Sequence, residues 1–176
     1  PNETGSVQTV KGQQDYAQYY AEWGAWYPSL VFDITQTYTV LSNAESALSI
    51  TGDEVDVTTT PIALNAGWNW ISYLPQITWD VDSAFDSVTL THGDILKTQA
   101  SFTNYYDGWG WYPGASEGFT LSPTDGLQLN VAEASQLLYP SEAISSNQEN
   151  ALDLERIFEE ELMWEVDYHQ FEFNGS

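Results

Sequence analysis

The chain has 176 residues, no cysteine and a net charge of −23, with three lysine or arginine residues against 26 acidic ones. So few cations cannot neutralise a phosphate backbone or an anionic lipid surface, and the lack of cysteine excludes disulfides, iron–sulfur clusters and thiolate zinc sites. No run approaches the ~20 apolar residues that a spanning helix needs, so we expect no nucleic-acid partner and no membrane span. The apolar content of 42% nevertheless predicts a folded core.

The first nine residues are polar and contain an N-glycosylation sequon at Asn2, and a second sequon begins at Asn174. Both are glycosylation candidates, although a chain rich in Asn, Ser and Thr also contains sequons by chance. Because the chain begins with Pro1 and not with Met, we expect it to be a piece of a longer polypeptide.

A motif occurs twice along the chain, as KGQQDYAQYYAEWGAWYP at Lys11–Pro28 and as KTQASFTNYYDGWGWYP at Lys97–Pro113. The alignment places Gln13 on Gln99 and leaves Ala25 as an extra residue. A period of about 85 residues predicts two related units. Residues 1–52 form a partial first unit without its leading half, and residues 53–140 form a complete second unit.

Local patterns in the first unit predict three elements. Tyr16, Tyr19 and Tyr20 recur at helical spacing, which predicts a short helix. The apolar and polar residues alternate from Leu30 to Ile34, which predicts a strand, and a further strand is expected around Val40.

The second unit opens with GWNWISYLP at Gly67–Pro75, which carries apolar bulk on both faces and therefore predicts a central strand. Asp82 is placed to cap a helix over Ser83–Leu90, and a turn at residues 123–126 precedes a strand at residues 127–129. The first unit has no counterpart of the leading strand, so we expect it to have an unpaired edge.

The segment 141–176 has no counterpart in the repeat. It combines an acidic helix pattern with a terminal strand, and it is interpreted as a linker, a donated strand or the start of another domain. A neighbouring molecule's sheet could accept this strand by strand addition, through an apolar set of residues: Trp164, Val166, Tyr168, Phe171 and Phe173. Together these elements predict a mostly β fold of small sandwich- or barrel-like units with short helices.

Several motifs resemble a repeat of large secreted or cell-surface multidomain proteins of marine microbes. The residues that carry the resemblance are GWNWISYLP at Gly67–Pro75, GDILKTQ from Gly93, FTNY from Phe102 and the Gly108-Trp109 pair. It covers residues 61–140 well and 7–52 in part, and the tail is similar to the start of a second β-domain. The resemblance implies an extracellular location and a repeat architecture, but no defined chemistry.

Aromatic residues beside the glycine turns are the candidate binding residues. They form one cluster in each unit: Trp23, Trp26 and Tyr27, and Trp109, Trp111 and Tyr112. Aromatic rings on turns can form platforms for sugars or for protein partners. The alternative is that the rings fold inward as each unit's core, because a unit this small has few other large side chains.

Catalytic and metal chemistry find less support. The only histidines, His92 and His169, lie in no nucleophile motif, so no enzymatic activity is expected. Calcium is the one cofactor left open, with weak candidate ligands on a short turn at Asp80, Asp82 and Asp86. A solvated acidic loop explains the same residues.

These observations predict a non-enzymatic extracellular structural or adhesive repeat module. It would associate with itself or with neighbouring domains of the same polypeptide, and could form a surface filament by strand addition. The alternatives are a carbohydrate-binding module that uses the turn aromatics, or an accessory domain of a secreted hydrolase.

Overall fold

The computed structural model describes residues 7–44 and 52–141. The fold is mostly β, as predicted, with antiparallel sheets and, within these two ranges, one short α-helix. The chain divides into compact units at 1–140 and 141–176. The predicted sequons and the predicted terminal strand, residues 164–173, lie outside the described residues.

The first copy of the motif folds as a four-stranded antiparallel sheet with the order β3-β2-β1-β4. Its strands are β1 (Val7–Lys11), β2 (Tyr16–Tyr20), β3 (Ala25–Tyr27) and β4 (Thr39–Ser42).

The second copy belongs to a five-stranded antiparallel sheet, and two two-stranded sheets and a helix accompany it. In chain order the elements are β5 (Ile62–Leu64), β6 (Gly67–Ser72), β7 (Trp79–Asp80), α1 (Val81–Ala84), β8 (Ile95–Lys97), β9 (Phe102–Tyr106), β10 (Gly110–Tyr112), β11 (Thr120–Leu121), β12 (Gly126–Val131) and β13 (Ser135–Leu137). The large sheet has the order β10-β9-β8-β12-β6, while β7 pairs with β11 and β5 with β13.

The two copies share strand order and register. Lys11 lies opposite Tyr16 in the first sheet, as Lys97 lies opposite Phe102 in the second. β4 pairs with β1 as β12 pairs with β8. The large sheet then continues to β6, whereas no described strand lies beyond β4. Among the described residues, the first sheet therefore has no strand equivalent to β6.

The main core lies on one face of the large sheet. Alternate residues of β12 and β8 point into it, and Phe85 and Tyr139 pack against them. Burial raises the pKa of the Tyr139 hydroxyl well above its usual value, and this hydroxyl donates a hydrogen bond to the Ser72 carbonyl oxygen at 3.0 Å. In the first sheet, the buried apolar residues among those described are Val10 and Ala17.

Two predicted elements of the first unit differ in the structure. The helix predicted from Tyr16 to Tyr20 is β2, because β1 and β3 bind it on either side. The strand predicted over Leu30–Ile34 is an irregular loop, because it joins none of the paired strands of a sheet and turns at residues 33–36. The extra residue of the first copy lies in the turn between β2 and β3, because Ala25 pairs with Tyr20 as Gly110 pairs with Tyr106.

The predicted helix is shorter and starts earlier. It spans Val81–Ala84, and its N-cap is Asp80, whose carboxylate accepts a hydrogen bond from the Ser83 N–H at 2.8 Å. Pairing of β7 with β11 fixes the chain up to Asp80, so the helix begins at the next residue. The leading strand β6 is also not central, because it ends the large sheet.

Candidate docking site between the repeat copies

The two copies display a glutamine on identical hairpin turns. In the first copy the Gly12 N–H donates to the Asp15 carbonyl oxygen at 2.8 Å, and in the second the Thr98 N–H donates to the Ser101 oxygen at 2.9 Å. The second residue of each turn is a glutamine, Gln13 or Gln99. The shared register of the strands puts both side chains at the same end of their sheets.

Gln13 binds the outer edge of β6. Its Nε2 donates to the Trp68 carbonyl oxygen at 2.6 Å, and its Oε1 accepts from the Trp70 N–H at 2.8 Å. One donor and one acceptor, two residues apart on the strand, are the groups that a neighbouring antiparallel strand would engage. The Gln13 amide thus supplies the one donor and the one acceptor that a sixth strand would supply at this point.

The loop that follows the first copy, before β4, extends this contact along β6. The Ser72 N–H donates to the Thr35 carbonyl oxygen at 3.1 Å, and the Ser72 hydroxyl donates to the Ile34 oxygen. The first copy therefore covers the β6 edge at three successive outward-facing residues, which prevents that edge from pairing with another chain.

The turn that presents Ile34 and Thr35 is held by Asp33. The carboxylate of Asp33 accepts from the Thr35 N–H at 2.9 Å and from the Thr35 hydroxyl at 2.7 Å. These hydrogen bonds lower the pKa of the exposed Asp33 carboxyl. Beyond the turn, Thr37 approaches Gly126 so closely that a Cβ at Gly126 would lie 2.4 Å from the Thr37 hydroxyl oxygen.

Two lysines lie over Trp68 and Trp70, whose side chains are on the face of β6 that points away from the core. Lys11 of the first copy has its Nζ 5.9 Å from the Trp70 ring centroid, and Lys97 of the second copy has its Nζ 4.6 Å from that of Trp68. Cation–π contacts at exposed positions contribute ~0.5–1 kcal/mol each. The Lys11 contact adds to the docking of the first copy on the second.

The second copy presents equivalent groups that the described contacts leave exposed. Gln99 is exposed on its hairpin, as is Thr124 on the turn that precedes β12. That turn has the same closing hydrogen bond as the turn at Asp33, because the Asp125 N–H donates to the Ser122 oxygen at 3.0 Å as the Gln36 N–H donates to the Asp33 oxygen at 3.1 Å. Its backbone differs, since Thr124 adopts a φ of +80° and Thr35 has no positive φ. Of the groups that dock the first copy on β6, the second copy therefore repeats the glutamine but not the conformation of the turn.

The predicted aromatic residues divide into exposed and buried members. Trp109 is 91% exposed on the β9–β10 turn, between Gly108 and Gly110, which both adopt positive φ, and Trp23 is 67% exposed on the β2–β3 turn. Tyr27 and Tyr112 are also exposed. Trp23 and Tyr27 contact each other edge to face with ring centroids 6.4 Å apart, and Trp23 also stacks on Tyr20 at 4.7 Å.

Trp111 and Trp26 are less accessible. Trp111 is only 4% exposed and packs against Phe85 and Tyr105 with ring centroids 5.9 and 5.5 Å apart, so it belongs to the core. Trp26 is half-buried beside Tyr19. Burial therefore assigns Trp111 to the core, while binding by the exposed rings stays a prediction.

The calcium candidates do not converge. Asp80 caps α1, the Asp82 carboxylate accepts from the Ala115 N–H at 3.1 Å, and Asp86 is exposed. Within residues 7–44 and 52–141, no three His, Cys, Asp or Glu side chains are grouped as metal ligands would be. Asp80 and Asp82 instead stabilise the backbone around α1.

Sequence reasoning missed Gln13, Thr35 and Ser72 as contact residues. The recurrence of the glutamine in both copies was the available signal, but a repeat alone does not show what its side chain binds.

No protein-family model, curated protein or solved structure matches the chain. In the part of the chain that the structure describes, no helix is long and apolar enough to cross a membrane.

Proposed function

We propose that this chain is a non-enzymatic structural or adhesive module of an extracellular repeat protein. In it, each repeat unit covers the exposed leading strand of the unit that follows. The observation that carries the proposal is the pair of hydrogen bonds between Gln13 and the outer edge of β6. A unit joined to its neighbour in this way is a building block of an extended array.

The second copy supports the continuation of such an array. Gln99 occupies the same place on its hairpin turn as Gln13 and is exposed. The partner implied by this geometry is a neighbouring unit of the same repeat, in the same polypeptide or in another. The resemblance to repeats of secreted and cell-surface proteins supports an extracellular location.

Exchange of the docking glutamine tests the proposal. In Gln13→Glu a carboxylate oxygen replaces the amide nitrogen and faces the Trp68 carbonyl oxygen, so a hydrogen bond becomes a repulsion. We expect the free energy of unfolding, measured by urea denaturation, to fall by about 1–3 kcal/mol.

The matched control is Gln99→Glu, which adds the same charge at the equivalent exposed position. We expect it to change the free energy of unfolding by less than about 0.5 kcal/mol. Equal losses in the two variants would mean that added negative charge, and not the docking contact, governs the result, and the proposed role of Gln13 would be wrong.

A carbohydrate-binding module is a second candidate, which the exposure of Trp109 and Trp23 favours. Exposed indole faces stack on the apolar faces of sugar rings. If this function operates, the chain binds a defined class of glycans on an array, and Trp109→Ala weakens that binding about tenfold or more while the circular dichroism spectrum is unchanged.

The control for this experiment is Phe32→Ala, which removes an exposed aromatic ring outside the two turns. It should leave glycan binding unchanged. A wild-type chain that binds no glycan, or a Trp109→Ala chain that binds as well as the wild type, would exclude this candidate.

A further inference from the structure

Among residues 7–44 and 52–141, no strand pairs with the outer side of β4. All four of its residues are exposed, including Val40 at 46% and Leu41 at 57%. Residues 37–44 contain no charged side chain and no proline, although the whole chain carries a net charge of −23. Proteins normally protect a free edge with lysine, proline or a covering segment. An apolar, uncharged edge is therefore suited to pairing.

The second copy shows which strand covers the equivalent edge. β12 is the counterpart of β4, because Leu129 lies opposite Leu96 as Val40 lies opposite Val10. On its other side β12 pairs with β6 along six residues. A strand equivalent to β6 is the element that the first sheet lacks among the described residues.

The direction of the backbone groups identifies the contact residue on β4. Trp70 and Ser72 turn their N–H groups away from β12, toward the first copy. Successive residues of a strand point to opposite sides, so Asn69 turns its N–H toward β12, where it lies opposite Leu129. Val40 is the counterpart of Leu129, so its N–H and C=O groups point to the side of β4 on which no described strand lies.

We propose that the outer edge of β4 binds, in antiparallel orientation, a strand of the same Gly-Trp-x-Trp-x-Ser type as β6, supplied by another unit of this repeat. The register follows from β12: the asparagine between the two tryptophans lies opposite Val40, and the tryptophans lie opposite Leu41 and Thr39. This inference rests on the proposed repeat function, whose partner it identifies.

Charge favours this occupant over the acidic tail of the same chain. The β6 sequence GWNWIS has no charged residue, whereas the tail segment 164–173 contains Glu165, Asp167 and Glu172. In a chain with 26 acidic residues, an uncharged strand approaches β4 with less repulsion than an acidic one.

A labelled peptide tests the proposal on the full chain. A fluorescein-labelled peptide with the sequence of residues 65–74 is titrated with the protein, and binding is followed by fluorescence anisotropy. We expect saturation at one peptide per chain. Methylation of the peptide's backbone nitrogen at the position of Asn69 removes the N–H that faces Val40 and should weaken binding about tenfold or more.

The matched control peptide carries the same methyl group at the position of Trp70, whose N–H faces away from β4. Its affinity should remain within about threefold of the unmodified peptide. Equal weakening by the two methyl groups, or no saturable binding of the unmodified peptide, would overturn the proposal.

Other occupants have their own outcomes. If a peptide of residues 162–173 binds the chain and the peptide of residues 65–74 does not, the edge accepts the acidic tail and the proposal is wrong. If sedimentation shows a dimer of the chain that Val40→Pro dissociates, two copies of β4 pair with each other, which also overturns it. These results are independent of Gln13→Glu, so a failed peptide experiment leaves the proposed function standing.

Discussion

At the scale of single residues, Asp94 of the segment His92-Gly93-Asp94 stabilises the fold through its hydrogen bonds. It is 3% exposed, and its carboxylate accepts hydrogen bonds from the Thr91 N–H at 2.8 Å and from the Ala132 N–H at 2.9 Å. Its own carbonyl oxygen accepts from the Tyr105 N–H at 2.9 Å. Asp94 therefore ties the start of β8 to the end of β12 and to β9. The neighbouring His92 is exposed and packs its ring against Tyr106.

Removal of the Asp94 carboxylate should destabilise the second unit. Asp94→Ala leaves the N–H groups of Thr91 and Ala132 without their acceptor, so we expect the free energy of unfolding to fall by about 2–4 kcal/mol in urea denaturation. Asp86→Ala is the control, because it removes the same charge from an exposed position and should change stability by less than about 0.5 kcal/mol. Similar losses in both variants would contradict the structural role of Asp94.

Trp26 and Trp111 show the limit of sequence reasoning at this scale. They occupy the same position of the repeat, opposite Tyr19 and Tyr105, and yet one is half-buried and the other is in the core. The difference arises because Phe85, which follows α1 in the leading half of the second unit, packs on Trp111. A motif predicts the strand on which a residue lies, but not whether another segment covers that residue.

At the scale of elements, the repeat was the most reliable predictor. It predicted two related sets of strands, and β3-β2-β1-β4 and β10-β9-β8-β12 are ordered alike in the described residues. Local periodicity was less reliable. The spacing of Tyr16, Tyr19 and Tyr20 fits a helix, but only the hydrogen bonds to β1 and β3 decide that the segment is a strand.

The prediction that β6 is a central strand was wrong for a related reason. Apolar residues on both faces of GWNWISYLP suggest burial on both sides, and they do not distinguish a central strand from an end strand with covered faces. One face lies on the core, and the other carries Trp68 and Trp70 beneath the two lysines. The residues that cover its edge, Gln13 and Thr35, are remote in sequence, so no local pattern identifies them.

At the scale of the whole molecule, the distribution of charge sets the conditions for stability and assembly. A net charge of −23 with three basic residues means that most carboxylates repel one another without a basic partner. The strand β4 contains no charged residue, so its own side chains add nothing to this repulsion.

Screening of this repulsion should stabilise the chain. Raising NaCl from about 0.05 to 0.5 M shortens the Debye length to a few ångströms, so exposed carboxylates stop repelling one another. We expect the midpoint of thermal unfolding, followed by circular dichroism, to rise by about 3 °C or more, which corresponds to roughly 1 kcal/mol for a chain of this length.

KCl at equal ionic strength is the control and should give the same rise, because screening depends on ionic strength. A larger rise in CaCl2 at matched ionic strength would indicate a bound divalent cation, and a midpoint that stays constant or falls in NaCl would show that repulsion among the carboxylates does not limit stability.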